Sequence, residues 1–143
     1  MTVKVLYTTR AQATGGRDGQ AATTDNAFSV KLATPREMGG SGSPGNNPEQ
    51  LFAAGYAACF LSAVRFVAGQ SGQNVPNDAH VTATVGIGPR SGGGFGIDVA
   101  LEVALPGMAR SEAQTLVTQA DKLCPYSNAL RNNVPVRLGV ISS

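Results

Sequence analysis

The pattern of apolar and polar positions predicts a mixture of strands and helices, beginning with two strand-like regions. Residues 3–13 (VKVLYTTRAQA) and 26–35 (NAFSVKLATP) carry β-branched and apolar residues in partial alternation with polar ones, a pattern typical of strands with one buried face. Between them lies TGGRDGQ at 14–20, rich in glycine and aspartate, which predicts a loop or a wide hairpin.

A long apolar helix is expected after a loop dense in glycine, serine, asparagine and proline. The loop, REMGGSGSPGNNP, ends with Asn47 as the expected N-cap and Pro48 at the first helical position, because asparagine caps helices and proline fits their first turn. We expect this helix to run to about Gln70. It carries Cys59 at its centre.

The second half of the chain predicts a hairpin, two helical segments and a closing strand. Two alternating stretches, 79–89 and 95–106, flank the turn RSGGG, as in an antiparallel hairpin. A helix is expected over 111–123, where Ser111 and Gln114 have the spacing of a capping box. A short helical piece follows Cys124, then a strand over 134–142. The fold class is therefore α+β, with antiparallel strands and hairpins packed around two apolar helices.

Length and charge narrow the classes of function. The 143 residues have the usual size of one domain, so we expect a single domain over 1–143. The net charge of +2 comes from scattered residues without a basic run, which disfavours nucleic acid as a partner. No signal-peptide pattern is visible, and polar residues interrupt the long apolar stretch well short of a membrane span. We expect a soluble, cytoplasmic protein without a membrane partner.

The two cysteines, Cys59 and Cys124, are far apart in the sequence. Their spacing matches neither a paired metal-ligand motif nor a disulfide-rich secreted scaffold. With His80 as its single histidine, the chain also lacks the ligands of a histidine-rich metal centre, so we expect no metal and no bound cofactor. A disulfide in a reducing cytosol is more often transient and catalytic than structural.

One face of the long helix surrounds its thiol with apolar residues. At three- and four-residue steps, this Cys59 face contains Phe52, Gly55, Cys59, Ser62 and Phe66, with Tyr56 and Ala63 beside it. A lone cysteine on an apolar helix usually packs as a small hydrophobe. Desolvation also raises a thiol's pKa, so a reactive Cys59 needs a nearby cation to reverse that shift.

Arg17 is the candidate cation, and Glu49 is its candidate partner. Arg17 lies in the glycine-flanked loop TGGRDG, which can adopt backbone angles that carry a side chain against another element, although an isolated loop arginine is more often solvated. Glu49 suits the first helical turn through the macrodipole alone. Together with Cys59 they form a consistent set for cleaving a peroxide, because a thiolate attacks the O–O bond and a fixed donor stabilises the departing oxygen.

Three other features of the sequence allow other interpretations. The segment GPRSGGGFG lies between two strands and opens no helix, so a hairpin tip fits better than a phosphate loop. His80 could pair with Cys59 as a Cys-His nucleophile, but a lone strand histidine is usually structural or solvated. In a non-catalytic binding protein, the helix would line an apolar ligand pocket and both cysteines would only pack.

Five segments, TGGRDG, NPEQLFAAGYAACF, HVTATVGIGP, GGFGIDVALEVALPG and LCPYSNALR, resemble the organic hydroperoxide resistance branch of the Ohr/OsmC family over nearly the whole chain. The resemblance implies an intertwined homodimer and a peroxidase for organic and fatty-acid hydroperoxides that lipoylated proteins reduce through dihydrolipoyl groups. It also implies that Cys59 is the peroxidatic cysteine, Cys124 the resolving one, and Arg17 and Glu49 the family's arginine and glutamate. The apolar helix would supply a substrate pocket that includes Phe52, Tyr56 and Phe66.

The length of the predicted helix constrains how this site is assembled. Glu49 and Cys59 are ten residues apart, which is about 15 Å along a continuous helix at 1.5 Å per residue. One arginine side chain cannot comfortably hold both. We therefore predict that Arg17 and Glu49 of one subunit complete the pocket around Cys59 of the other, with both cysteines coming from one chain.

Overall fold

The computed structural model describes residues 2–142, and the chain divides into two compact units, Met1–Pro48 and Glu49–Ser143. The single domain predicted over 1–143 stays a prediction. In the first unit, a three-stranded antiparallel sheet has the order β1-β2-β3. Its strands are β1 (Ala11–Thr14), β2 (Gln20–Thr23) and β3 (Ser29–Lys31). The second unit contains α1 (Pro48–Gln70), β4 (His80–Pro89), β5 (Phe95–Leu105), α2 (Arg110–Leu123), α3 (Pro125–Leu130) and β6 (Val136–Ser142).

The first unit departs from the sequence prediction in its strands. The strand expected over 3–13 is limited to β1, and within the described part of the chain residues 2–10 pair with no strand. Their large apolar side chains are exposed: Val3, Val5, Leu6 and Tyr7. β2 was not predicted, and β3 covers three residues of the segment 26–35. A strand needs a hydrogen-bonded neighbour as well as a suitable pattern, and the pattern alone does not identify that neighbour.

The second sheet has the order β4-β5-β6 and combines both strand orientations. β4 and β5 form the predicted antiparallel hairpin, with His80 opposite Ala104 and Pro89 opposite Phe95. β6 instead runs parallel to β5, with Val99 opposite Val136. Because α2 and α3 lie between β5 and β6 in the sequence, the chain crosses over before it returns to the sheet. The predicted α+β class is confirmed, and β6 is the exception to its antiparallel pattern.

The core of the second unit lies where α1 and α2 meet one face of this sheet. Every second residue of β5 from Val99 to Leu105 is buried, following the two-residue period of a strand, and Ala104 at its end is buried too. The helices contribute residues at three- and four-residue steps, and a fully buried leucine or valine contributes about 1.5–3 kcal/mol. The main buried side chains are Val99, Leu101, Val103 and Leu105 of β5, Tyr56, Phe60, Val64 and Val67 of α1, and Ala113, Leu116, Val117 and Ala120 of α2.

The bounds of α1 agree with the sequence prediction, whereas the start of α2 does not. α1 begins at Pro48 and ends at Gln70. α2 begins at Arg110 with Ala109 as its N-cap and no side-chain cap bond, so the predicted capping box is wrong. The backbone of Ala109 already accepts the Ala113 N–H at 2.9 Å. Ser111 therefore lies inside the first turn, where its hydroxyl cannot act as the N-cap.

α1 has the length and composition of a membrane span, with a mean hydropathy of 1.7 over its most apolar window. The sequence prediction that polar residues leave this stretch well short of a span is therefore wrong on these two criteria. The core helix of a soluble protein passes the same test. A third of that window is buried within this chain, so the rest of it is at least partly exposed.

Candidate functional site

The two thiols, separated by 65 residues in the sequence, meet in the second unit. Cys124 Sγ lies 3.7 Å from Cys59 Sγ. Both are free cysteines; Cys124 is buried and Cys59 is partly exposed. A disulfide requires about 2.05 Å between the sulfurs, so a closure of about 1.7 Å would join them. The partly exposed Cys59 sulfur can therefore contact a substrate, while the buried Cys124 sulfur lies close enough to react with Cys59.

Cys124 owes its position to the junction between α2 and α3. Pro125 disfavours helical backbone angles in the preceding residue, and Cys124 accordingly has φ −62° and ψ 122°. Its N–H still donates to the Ala120 carbonyl at 2.8 Å, and its own carbonyl accepts the Asn128 N–H at 2.9 Å. The resolving candidate is thus an extended residue held between two helical turns.

The Cys59 face of α1 differs from the face that packs into the core. Phe52, Gly55 and Cys59 are partly buried, while Ser62 is exposed and Phe66 is 56% exposed. Tyr56 and Ala63, which the sequence analysis placed beside this face, are buried in the core. Within the chain, the predicted pocket residues therefore do not share one environment, because Tyr56 is enclosed and Phe66 is open.

An aromatic cluster joins α1 to α3. The Phe52 ring centroid is 5.9 Å from that of Tyr56 in an edge-to-face arrangement, and 6.0 Å from that of Tyr126 in a stacked one. A Cβ atom on Gly55 would come within 3.3 Å of Tyr126 Oη, so the glycine permits this close approach. Tyr126 was not predicted from the sequence, where the one indication of a close neighbour was Gly55 inside an apolar helix.

A buried hydrogen bond joins α1 to α3. Tyr56 Oη and Ser127 Oγ are 2.6 Å apart, with Tyr56 fully enclosed and Ser127 3% exposed. Burial raises the pKa of Tyr56, and the hydrogen bond to Ser127 opposes that rise. Ser127 was also missed in the sequence, where a serine in a short helix gives no signal of its buried partner.

The environment of Cys59 is mainly that of a desolvated thiol. Burial raises the pKa of Cys59, the neighbouring Cys124 thiol raises it further, and the backbone N–H of Tyr126 lowers it. This direction agrees with the expectation for a thiol among aromatic side chains. A thiolate at neutral pH therefore requires a further positive group.

The proposed positive group, Arg17, lies in the tight turn between β1 and β2. Gly15 and Gly16 have φ angles of 72° and 60°, and a Cβ on Gly19 would come within 1.7 Å of the Thr14 carbonyl oxygen. The expectation of unusual backbone angles in this loop is confirmed. Asp18 Oδ1 accepts the Thr34 N–H at 3.0 Å, which fixes the turn and lowers the pKa of Asp18. Arg17 itself is partly buried.

Glu49 and His80 lie in the second unit. Glu49 is in the first turn of α1, and because α1 is continuous it lies about 15 Å along the axis from Cys59. His80 is exposed at the start of β4, where its Nδ1 donates to the Asp78 carbonyl at 3.0 Å. Across residues 2–142, no three histidine, cysteine or carboxylate side chains are placed to hold a metal ion.

Comparison with known proteins gives consistent matches over nearly the full length. The model of the family described as OsmC-like protein matches residues 39–139. The chain is 56% identical to the organic hydroperoxide resistance protein of Xanthomonas axonopodis pv. citri, over 94% of each chain. It is 42% identical to the organic hydroperoxide resistance protein OhrB of Bacillus subtilis, over 93% of this chain and 96% of the relative.

A solved structure shares both sequence and fold with this chain. It is the crystal structure of an organic hydroperoxide resistance protein from Vibrio cholerae, with captopril bound in one of the active sites. It superposes with a TM-score of 0.92 at 46% identity, covering 98% of this chain and 95% of the other.

Proposed function

Because the chain belongs to the OsmC-like family, in its branch of organic hydroperoxide resistance proteins, we propose that it acts in resistance to organic hydroperoxides as a cysteine-based peroxidase. The observation that carries this proposal is the pair of free thiols 3.7 Å apart, one partly exposed and one buried. A nucleophile needs access to substrate, whereas the cysteine that resolves it needs only access to the nucleophile.

The first chemical step takes place at Cys59. Its thiolate attacks the terminal oxygen of an alkyl or fatty-acid hydroperoxide, so that an S–O bond forms as the O–O bond breaks. The alkoxide leaves, takes up a proton and departs as the alcohol. Arg17 stabilises both the thiolate and the leaving oxygen, and Glu49 orients the guanidinium.

The second step protects and recycles the enzyme. Cys124 condenses with the Cys59 sulfenic acid, which forms the disulfide and releases water. The buried Cys124 sulfur already lies within 3.7 Å, which supports this order of events. An external dithiol, the dihydrolipoyl group of a lipoylated protein, then reopens the disulfide by exchange.

We propose that the active form is an intertwined homodimer. Glu49 and Cys59 are too far apart along one continuous helix for a single Arg17 to serve both within one chain. Two surfaces of the chain also expose large apolar side chains: the segment 2–10 and the outer part of the Cys59 face. A second copy would cover both and complete the site with its own Arg17 and Glu49.

An apolar substrate suits this setting. Phe52 stacks on Tyr126, two residues after Cys124, and we propose that it lines the pocket together with Tyr56 and Phe66, the last becoming enclosed at the dimer interface. No charged side chain lies on the Cys59 face, which favours an alkyl chain over a charged substrate. We infer a cytoplasmic protein that functions without a metal, a membrane or a nucleic acid.

Arg17→Ala should raise the pKa of Cys59. Burial already raises it, and the variant loses the cation that we propose to reverse this shift. If the pKa rises by one unit, the thiolate fraction falls about tenfold at any pH well below the pKa. The alkylation rate of Cys59 measured against pH should move to higher pH by that interval. As a control, Arg65→Ala also removes one positive charge, but from α1, and should leave the curve unchanged. Identical curves for the parent and Arg17→Ala would exclude Arg17 from the site.

A count of free thiols distinguishes the peroxidase from the two alternatives. After one equivalent of alkyl hydroperoxide, the peroxidase loses two thiols per chain. A non-catalytic protein that binds apolar ligands loses none, and neither does a Cys-His hydrolase. The exposed His80, bonded to a backbone carbonyl, offers no support for the hydrolase.

A further inference from the structure

A hydrogen bond between two buried hydroxyls links the backbone segments that carry the two thiols. Tyr56 lies three residues before Cys59 on α1, and Ser127 lies three residues after Cys124 on α3. Three residues are close to one helical turn. Their 2.6 Å bond, which we term the hydroxyl brace, therefore ties the two sulfur-bearing segments together one turn away from each sulfur.

α3 depends on such contacts for its position. It has six residues, far fewer than an isolated helix needs to be stable in water. At its C-terminal end, Arg131 donates to the Asp121 carbonyl at 2.8 Å and to the Asn128 side chain. Those contacts attach α3 to α2 and to itself, whereas the hydroxyl brace attaches it to α1, which the Tyr126 N–H also contacts at Cys59.

The surrounding aromatic contacts cannot replace the brace. The Phe52 and Tyr126 rings pack by area, and such packing tolerates small sliding movements. A hydrogen bond between enclosed hydroxyls is directional, and breaking it leaves both hydroxyls without a partner, because water does not reach them. Because burial raises the pKa of Tyr56, its hydroxyl stays protonated at the pH values where a thiolate acts.

We propose that Tyr56 and Ser127 are positioning residues for the resolving step, because the hydroxyl brace holds Cys124 Sγ within reach of the oxidised Cys59 sulfur. In that step Cys124 Sγ attacks Cys59 Sγ, the S–S bond forms and the S–O bond breaks. The Cys124 sulfur is oxidised, the sulfenic sulfur is reduced, and hydroxide leaves with the thiol proton as water. The proposal rests on the peroxidase function, but its geometry can be tested without peroxide.

The peroxide-free test uses dipyridyl disulfide and stopped-flow absorbance on the reduced full-length protein. The partly exposed Cys59 reacts first and releases one thiopyridone; Cys124 then attacks Cys59 Sγ and releases the second. Tyr56→Phe and Ser127→Ala should each slow the second release about tenfold. Ser127→Ala, which leaves the proposed substrate pocket unchanged, should keep the first release within about twofold of the parent. The double variant should be no slower than the slower single variant, because both remove the same bond.

The matched control is Ser71→Ala. Ser71 Oγ donates to the Val67 carbonyl beyond the end of α1, so this variant also loses a hydroxyl bond but lies three turns from the thiols. It should leave both releases unchanged. Any of three results would overturn the proposal: a second release within about twofold of the parent in a folded brace variant, a parallel slowing of both releases in Ser127→Ala, or a parent that releases only one equivalent.

A parallel reaction with alkyl hydroperoxide separates this proposal from the proposed function. Ser127→Ala, whose residue lies outside the proposed substrate pocket, should form sulfenic acid at the parent's rate and convert it to disulfide about tenfold more slowly, with more sulfinic acid at high peroxide. If the parent consumes no hydroperoxide while the second thiopyridone release still slows in the variants, the peroxidase function is contradicted and the role of the hydroxyl brace is supported. If the parent turns over hydroperoxide and the second thiopyridone release is unchanged in the variants, the role of the hydroxyl brace is contradicted and the peroxidase function is supported.

Discussion

Replacing Cys59 with serine should abolish turnover of alkyl hydroperoxides, lowering kcat/KM by about three orders of magnitude or more, as expected when a nucleophile is removed. A serine hydroxyl is far less acidic than a thiol, so neither Arg17 nor the Tyr126 N–H can make it an oxidisable nucleophile. The measurement is hydroperoxide consumption coupled to a dithiol such as dihydrolipoamide. A Cys59→Ser protein that consumed hydroperoxide at the parent rate would end the assignment.

Cys124→Ser is the companion variant, and it should fail at a different point. Because Cys59 is intact, the first round should proceed and produce one alcohol per chain. Without Cys124 at 3.7 Å, the sulfenic acid persists and oxidises further to sulfinic acid as peroxide is raised. Intact-protein mass should gain one oxygen and then two. A variant that turned over repeatedly without accumulating these adducts would exclude Cys124 as the resolving cysteine.

Mixing two variants that each lack one part of the site should restore activity if the site is shared between subunits. A heterodimer of Cys59→Ser and Arg17→Ala subunits contains one site with Cys59 from one chain and Arg17 from the other. That site is intact, so the purified heterodimer should have about half of the parent activity. Subunits with different affinity tags, refolded together, allow the heterodimer to be isolated and assayed against both homodimers.

The matched control pairs Arg17→Ala with a chain that carries both substitutions. Its heterodimer retains one Cys59 but no Arg17, so it should stay as inactive as the Arg17→Ala homodimer. Absence of rescue in a verified Cys59→Ser and Arg17→Ala heterodimer would contradict the shared site, as would a fully active monomer. Either result would leave the thiol chemistry in place.

The elements that local sequence signals define were predicted well. Pro48 marks the start of α1, and the glycine-rich turn at 90–94 joins two clearly alternating strands, so both features were found from the sequence. The parallel pairing of β6 and the short β2 could not be found in this way, because strand partners are set by contacts distant in the sequence. The capping box at Ser111 failed because the helix begins one residue earlier, at Arg110.

The residues of the candidate site also differ in how far the sequence alone identifies them. Cys59 and Cys124 stood out because cysteine is rare in this chain and carries its own chemistry, and the structure brings their sulfurs together. Tyr126 and Ser127 could not be identified, because their importance lies in what they meet on α1: a glycine that admits the ring and a buried phenol that accepts or donates a hydrogen bond. Residues that position a site are visible only when the fold is known.

The central claim is that Cys59 and Cys124 convert one organic hydroperoxide into one alcohol and one disulfide. The most direct measurement adds one equivalent of alkyl hydroperoxide to the reduced protein, then counts free thiols after denaturation and quantifies the alcohol. We expect two thiols lost per chain, one alcohol formed, and a mass two hydrogens lower with no added oxygen. No thiol loss with the hydroperoxide recovered intact would contradict the account and favour a protein that only binds its apolar ligand.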